Sequence, residues 1–307
     1  MFYIYVMNRL KFLPLLLLIF FSFDITAQQL SAFDGSEKGN MTQRWELDSS
    51  TRKGTFLITP YKPVFVLPVK WSVHPNERPY SGNENPDYVA PEGTDFNNIE
   101  SKFQLSFKVK ILQKALWGTA DLWVAYTQKA HWQIYNNAMS RPFREINYEP
   151  EVILNFPTKF SFLGINARMF GVAFNHESNG KSLPYSRSWN RIIFHAGFET
   201  GNWSMYLRPW LRLRSTKDDN PDITRYIGNG EVNVIYSHGE SIFSFIGTNN
   251  LDFGKQLRGN ATFSWSYPIQ GNLKGYLQVS HGFGETLIDY NNVQTTVGIG
   301  ISLVEWL

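Results

Sequence analysis

Within the stretch "FNHESNGKSLPYSRSWNR", Phe174 to Arg191, a histidine, two serines and an asparagine stand at positions where strand periodicity calls for apolar side chains. Phe170, Val172 and Phe174 form a row of period two, and the same row runs on into His176 and Ser178. In the following segment Ile192, Phe194, Ala196 and Phe198 form the apolar row, with Trp189, Arg191, His195 and Glu199 on the other face. That apolar row extends back to Asn190 and Ser188. A hairpin symmetric about Leu183 sets His176 opposite Asn190 and Ser178 opposite Ser188, with facing Cβ atoms roughly 4.5–5.5 Å apart. A hydroxyl nucleophile, an imidazole base and a group that orients the ring are the parts of an acyl-transfer triad. The pattern therefore supports serine-hydrolase chemistry at a membrane surface. Taken singly, each of these residues has a plainer reading as a wet position above an apolar band. A third segment, "TADLWVAYTQKAHW", adds Gln128 to the outward row of Ala120, Leu122, Val124 and Tyr126. An amide facing hydrocarbon needs a partner.

The elements that carry these residues are strands. In "WSMYLRPWLRLR" the positions Trp203, Met205, Leu207, Pro209, Leu211 and Leu213 alternate with Ser204, Tyr206, Arg208, Trp210, Arg212 and Arg214. An apolar row backed by arginines fits a strand between lipid and a polar lumen. Leu105, Phe107, Val109 and Ile111 alternate with Gln104, Ser106, Lys108 and Lys110, and Val152, Leu154 and Phe156 with Glu151, Ile153 and Asn155. Ala261, Phe263, Trp265 and Tyr267 repeat the pattern, as does the terminal "VQTTVGIGISLVEWL", where Trp306 is penultimate. The fold class is all-β, an antiparallel transmembrane β-barrel. A soluble β-sandwich also alternates, but cationic inward rows and aromatics near strand ends favour the barrel. The tight connection Glu199–Asn202 predicts a periplasmic turn, and the long segments Ser215–Gly230 and Asn136–Asn147 predict outer loops. Glu149, Glu151 and Glu199 are expected to balance the lumen cations.

The first residues combine Arg9 and Lys11, an apolar run from Phe12 to Phe23, and small residues at Thr26 and Ala27. This predicts a signal peptide over residues 1–27 and an exported domain over 28–307, with Gln28 to about Thr55 as an irregular lead-in. The 307 residues hold no cysteine, which excludes disulfides and thiol chemistry. A net charge of +3 is too small to indicate nucleic acid as a partner. Asp218, Asn220 and Asp222 have the alternate spacing of a calcium loop, but Ile223 replaces its glycine and Asn229 its closing glutamate. His131, His195 and His281 have no zinc-site spacing.

The active-site stretch resembles that of the outer-membrane phospholipase A family, calcium-dependent barrel enzymes of Gram-negative bacteria. "YTQKAHWQ" (Tyr126 to Gln133), "RPFREINYEP" (Arg141 to Pro150), "DDNPDITRY" (Asp218 to Tyr226) and "GETLIDYN" (Gly284 to Asn291) match in the same order. The resemblance implies a barrel of about twelve strands in the outer membrane, hydrolysing acyl esters of phospholipids and lysophospholipids at both acyl positions. It implies Ser178 as nucleophile, His176 as general base, Asn190 as the group orienting the imidazole, and the Gly180 amide as part of the oxyanion hole. It further implies a calcium ion at a homodimer interface, held by the Ser140 hydroxyl of one subunit and by the Lys181 carbonyl and Ser186 hydroxyl of the other. Gln128 would lie in that interface and find its partner there, and Leu183 removes an acidic position of relatives that could serve a second calcium. The rival readings are a non-enzymatic outer-membrane channel or structural barrel, and a soluble secreted esterase.

Overall fold

Alternating apolar and polar residues oblige each segment to choose a face, and the sheet satisfies them all by closing on itself. The computed structural model describes residues 39–90, 93–252, 254 and 256–306; the expected signal peptide lies outside the described residues. The strands are β1 (Ile58–Pro60), β2 (Val64–Ser72), β3 (Ile99–Lys114), β4 (Ala120–Trp132), β5 (Phe143–Phe162), β6 (Ile165–Ser178) and β7 (Ser188–Thr200). They continue as β8 (Trp203–Leu213), β9 (Gly230–His238), β10 (Ser241–Asn249), β11 (Gly259–Gln270), β12 (Leu273–Phe283) and β13 (Val293–Val304). Strands β2 to β13 each pair antiparallel with their neighbours, and β13 returns to β2. The result is a closed twelve-strand barrel, in which β1 extends the line of β2 along β3. Among the described residues no helix is long and apolar enough to cross a membrane.

The parities read from the sequence hold except at two strand ends: Ile111 falls in the bulge between Lys110 and Leu112, where Leu112 takes the outward place opposite Leu122, and Arg214 lies beyond β8 and is exposed. Leu211, Phe194, Phe174, Val152, Phe263 and Ile299 point outward and are exposed, while Arg208, Glu151, Asn155, Lys108 and Lys110 point inward and are buried. Two boundaries differ from expectation. Strand β5 begins at Phe143, so the β4–β5 loop closes at Pro142 and Phe143–Asn147 is already sheet. Trp306 does not continue β13: Ser302 Oγ donates to Glu305 Oε1 at 2.7 Å, and the turn carries the indole to within 6.2 Å of the Tyr206 ring. Lys274 and Arg44 hold Glu305 through its carboxylate and carbonyl. These inward partners outweigh an interfacial position for the terminal aromatic.

The lumen is packed with paired charge. Glu149 takes Lys62 at 2.7 Å and Arg191 at 3.3 Å, Glu151 takes Arg208 at 2.8 Å, and Lys110 bridges Glu46 and Asp121. Glu199, the third expected counter-charge, pairs with Arg168 at 3.5 Å. The lead-in supplies what the strands lack. A short helix α1 (Met41–Trp45), N-capped by the Asn40 side chain, sits inside the barrel, with Met41 and Trp45 buried. Its Met41 amide donates to Glu199 beside the β7–β8 turn, which places the plug at the short-turn end. Gly197 makes room for it, since a Cβ there would come within 2.3 Å of Met41 Sδ. Beside Trp45 the lumen keeps about 20 Å³, room for a single water.

Lys108 locks the plug. Its buried ammonium donates to the Arg44 carbonyl at 2.7 Å and the Pro60 carbonyl at 2.8 Å, and lies 4.5 Å from the Trp45 ring centroid. Lys108→Met keeps the stem but strips two carbonyls of a charged donor, and is expected to cost about 2–4 kcal/mol. The check is a lower urea midpoint for the refolded barrel in liposomes.

Candidate active site

Register builds the site. The pairings His176↔Asn190 and Ser178↔Ser188 occur as the hairpin symmetry predicts. On the other side of β6, Tyr148 of β5 pairs with Ser178, and Gln128 of β4 pairs with Tyr148. One outward row therefore reads Leu105, Gln128, Tyr148, Ser178, Ser188 around the barrel. All of it lies at the loop end of the strands, opposite the plug. His176 and Asn190 are half-buried on the lipid-facing side. His176 Nδ1 and Asn190 Oδ1 are 2.8 Å apart. Because the amide oxygen can only accept, Nδ1 carries the proton, and in the neutral ring Nε2 then holds the lone pair that a general base requires.

Ser178 is two residues along the same face, roughly 7 Å in strand rise. Among the described residues no hydrogen bond joins its hydroxyl to His176, so the structure brings together the second and third of the three residues and places the first beside them. Ser188, directly across from Ser178, is already engaged: its hydroxyl donates to Asp219 Oδ2 at 3.0 Å.

The β6–β7 loop is shaped by Asn179, a residue the sequence reading passed over. The Asn179 oxygen accepts from the amides of Lys181 (3.3 Å) and Arg187 (3.0 Å), while its nitrogen donates to the Tyr185 carbonyl at 2.8 Å. This staple leaves Gly180 in the left-handed region at φ +65°, exposed, with the Tyr148 ring 3.1 Å from where a Cβ would be. Among the described residues the Gly180 amide donates to no acceptor, as an oxyanion donor requires.

The three residues expected to hold a metal are on two loops. Lys181 and Ser186 belong to the β6–β7 loop. Ser140 sits on the β4–β5 loop in the left-handed region, at φ +59°, and makes no hydrogen bond to either of the others. Ser186 Oγ donates to Asp219 Oδ2 at 2.8 Å, so a carboxylate stands beside a site that the sequence supplied only with neutral donors. Asp219 is a hub: its other oxygen accepts from the Tyr88 phenol at 2.7 Å. Burial and that carboxylate push Tyr88 up to about 12. Only tertiary folding brings the β8–β9 loop over the β6–β7 loop, and no spacing in the sequence signals it. Hydroxyl, carbonyl and carboxylate oxygens together fit a hard cation such as calcium. Gln128 is less needy than expected, because the Tyr126 phenol donates to its Oε1 at 2.9 Å within the same strand.

A closed barrel with apolar outward rows and a charge-paired lumen is of the outer-membrane class, and a histidine–asparagine pair near a serine on its lipid-facing side is the set of groups a surface-acting hydrolase would use. Comparison with known proteins makes the class specific. A profile of the Phospholipase A1 family matches residues 41–303. Phospholipase A1 of Klebsiella pneumoniae is 40% identical over 251 residues, covering 81% of this chain and 82% of its own. The Escherichia coli K12 phospholipase A1 is 43% identical over 204 residues, 66% of this chain and 69% of that one. Among solved structures, outer membrane phospholipase A from Escherichia coli superposes with a TM-score of 0.73 at 36% identity, covering 82% of this chain and 100% of that one. The Salmonella typhi outer membrane phospholipase, a dimer with bound calcium, gives 0.74 at 37% identity, covering 85% and 96%. The chain belongs to the phospholipase A1 family, carboxylic ester hydrolases built on an outer-membrane β-barrel.

Proposed function

We propose that residues 28–307, exported by a signal peptide over residues 1–27, form a calcium-dependent phospholipase A of the outer membrane, active as a homodimer on phospholipids and lysophospholipids. The observation that carries this reading is the 2.8 Å contact of His176 with Asn190 on the lipid-facing surface, next to Ser178. Ser178 Oγ attacks the acyl ester carbonyl while His176 Nε2 takes its proton. The same proton then passes to the leaving alcohol, releasing lysophospholipid, and water repeats the sequence to free the fatty acid. Asn190 orients the imidazole without placing a carboxylate at a lipid boundary, where an unpaired charge is costly. The Gly180 amide faces the developing oxyanion. The Lys181 carbonyl and Ser186 hydroxyl would hold calcium with Ser140 from a second copy, and the ion would supply positive charge beside the oxyanion. A dimer also covers the outward polar row and gives the Gln128 amide nitrogen an acceptor. The calcium-bound dimer of the Salmonella typhi relative supports this assembly.

The plugged, charge-paired lumen weighs against the rival channel, since roughly one water fits beside the plug. The test is fatty-acid release from phospholipid in mixed micelles with calcium and with chelator. Calcium should raise the rate about 10²-fold or more, the size of effect seen when one oxyanion stabiliser is removed. Equal rates in both would sink the calcium assignment, and bilayer conductance without any release would favour the channel.

A further inference from the structure

Four outer loops enclose a cavity of about 180 Å³ beside the proposed active site. Phe96, Met139, Phe143 and Tyr185 supply apolar and aromatic walls, and Lys181, Arg144 and Asp289 supply charge. The charged groups are not equivalent. The Arg144 guanidinium is committed to Glu100 through Nε and Nη2, both at 2.9 Å, and to Asp289 through Nη1. Asp289 in turn accepts from Asn76 at 2.9 Å and from the Thr286 hydroxyl at 2.9 Å. The Lys181 ammonium donates to the Arg144 carbonyl at 2.6 Å and pairs with Glu145 at 3.2 Å, which uses two of its three N–H groups. Its side chain remains 31% exposed.

Building on the phospholipase reading above, we infer that this cavity is the subsite for the phosphate-ester headgroup of the lipid substrate, with the Lys181 ammonium as its recognition group. The order of parts along the barrel matches the order of parts in a bilayer. Acyl chains lie against the outward rows of β5 to β7, and the ester meets Ser178 where β6 ends. Lys181, three residues further into the outer loop, stands where the phosphate of a glycerophospholipid must lie, outside its own ester. The cavity is smaller than the roughly 300–1,000 Å³ of sites that swallow a whole ligand, and suits a headgroup whose chains stay in the membrane. A half-buried ammonium attracts a phosphate more strongly than one in open water. Lys181 would thus act twice: its carbonyl toward the metal and its side chain toward the substrate.

The test compares hydrolysis of a lysophospholipid with that of a monoacylglycerol of the same chain, which lacks phosphate, by the full-length refolded protein with calcium. Lys181→Met keeps the backbone carbonyl. It should raise the ratio of KM for the lysophospholipid to KM for the monoacylglycerol about tenfold or more, whatever it does to both through the adjoining metal-binding carbonyl, and Lys181→Arg should restore the ratio. Met139→Trp, which fills the cavity from the opposite loop, should produce the same selective loss. Glycerophosphoethanolamine should compete with the lysophospholipid, and inorganic phosphate at equal ionic strength should not. Equal losses on both substrates, no loss on either, or competition by inorganic phosphate as strong as by the headgroup would each overturn the subsite. Failure of the wild type to hydrolyse either substrate would instead strike the phospholipase reading itself.

Discussion

Ser178→Ala is expected to abolish fatty-acid release, by about 10⁴–10⁶-fold in kcat, in a barrel that still folds. Two serines face each other across the β6–β7 hairpin, and the structure distinguishes them. Ser188 already donates to the Asp219 carboxylate at 3.0 Å and so is anchored to the β8–β9 loop. The Ser178 hydroxyl has no hydrogen-bond partner among the described residues, and it shares a face with the imidazole. Ser188→Ala is therefore expected to retain most activity, and a collapse equal to that of Ser178→Ala would reassign the nucleophile. His176→Ala should match the serine variant, because nucleophile and base act as a unit. Asn190→Ala removes one hydrogen bond to the ring and is expected to cost about 10–10²-fold, the equivalent of about 1–3 kcal/mol. Burst kinetics with a chromogenic ester would separate acylation from deacylation in this set.

Mixing Ser140→Ala protein with Ser178→Ala protein is expected to restore activity that neither has alone. The reason is geometric. Ser140 makes no hydrogen bond to Lys181 or Ser186 within one chain, and the proposed metal site draws it from a second copy. In a mixed dimer the Ser140→Ala chain keeps its own nucleophile and receives an intact Ser140 from its partner. Random pairing makes half of the dimers mixed, with one complete site of two, so about a quarter of wild-type activity should return. The mixture should also follow second-order dilution: at fixed lipid, specific activity falls as protein surface density falls. Activity that stays at the level of the Ser140→Ala protein diluted twofold would show that Ser140 acts in its own chain or not at all. Ser186→Ala gives a complementary result. It leaves the Asp219 carboxylate in place but removes a hydroxyl bonded to it at 2.8 Å, and the calcium needed for half-maximal rate should rise.

Much of this protein was legible along the chain because a strand has a period of two and a membrane tolerates no mixed face. Those two constraints determine the barrel, the outward rows and the odd polarity of His176, Ser178 and Asn190. With hairpin symmetry about Leu183 they also determine the register that puts His176 against Asn190. Local turn chemistry was less secure: β5 starts at Phe143 because ladder pairing with Trp132 overrides the loop-like look of the segment. Trp306 reads as part of the terminal strand, yet it turns into the lumen because Glu305 finds Lys274, Arg44 and Ser302 there. What only the tertiary structure decided involves residues far apart in sequence. Asp219 reaches Ser186 and Ser188 across 33 and 31 positions, Met41 reaches Glu199 across 158, and Lys181 meets the wall of a cavity built from four loops. Periodicity specifies which face a side chain occupies, because that is a local property of the strand. Which loop folds over which, and which buried charge finds which partner, depends on closing the sheet, and no local pattern records it.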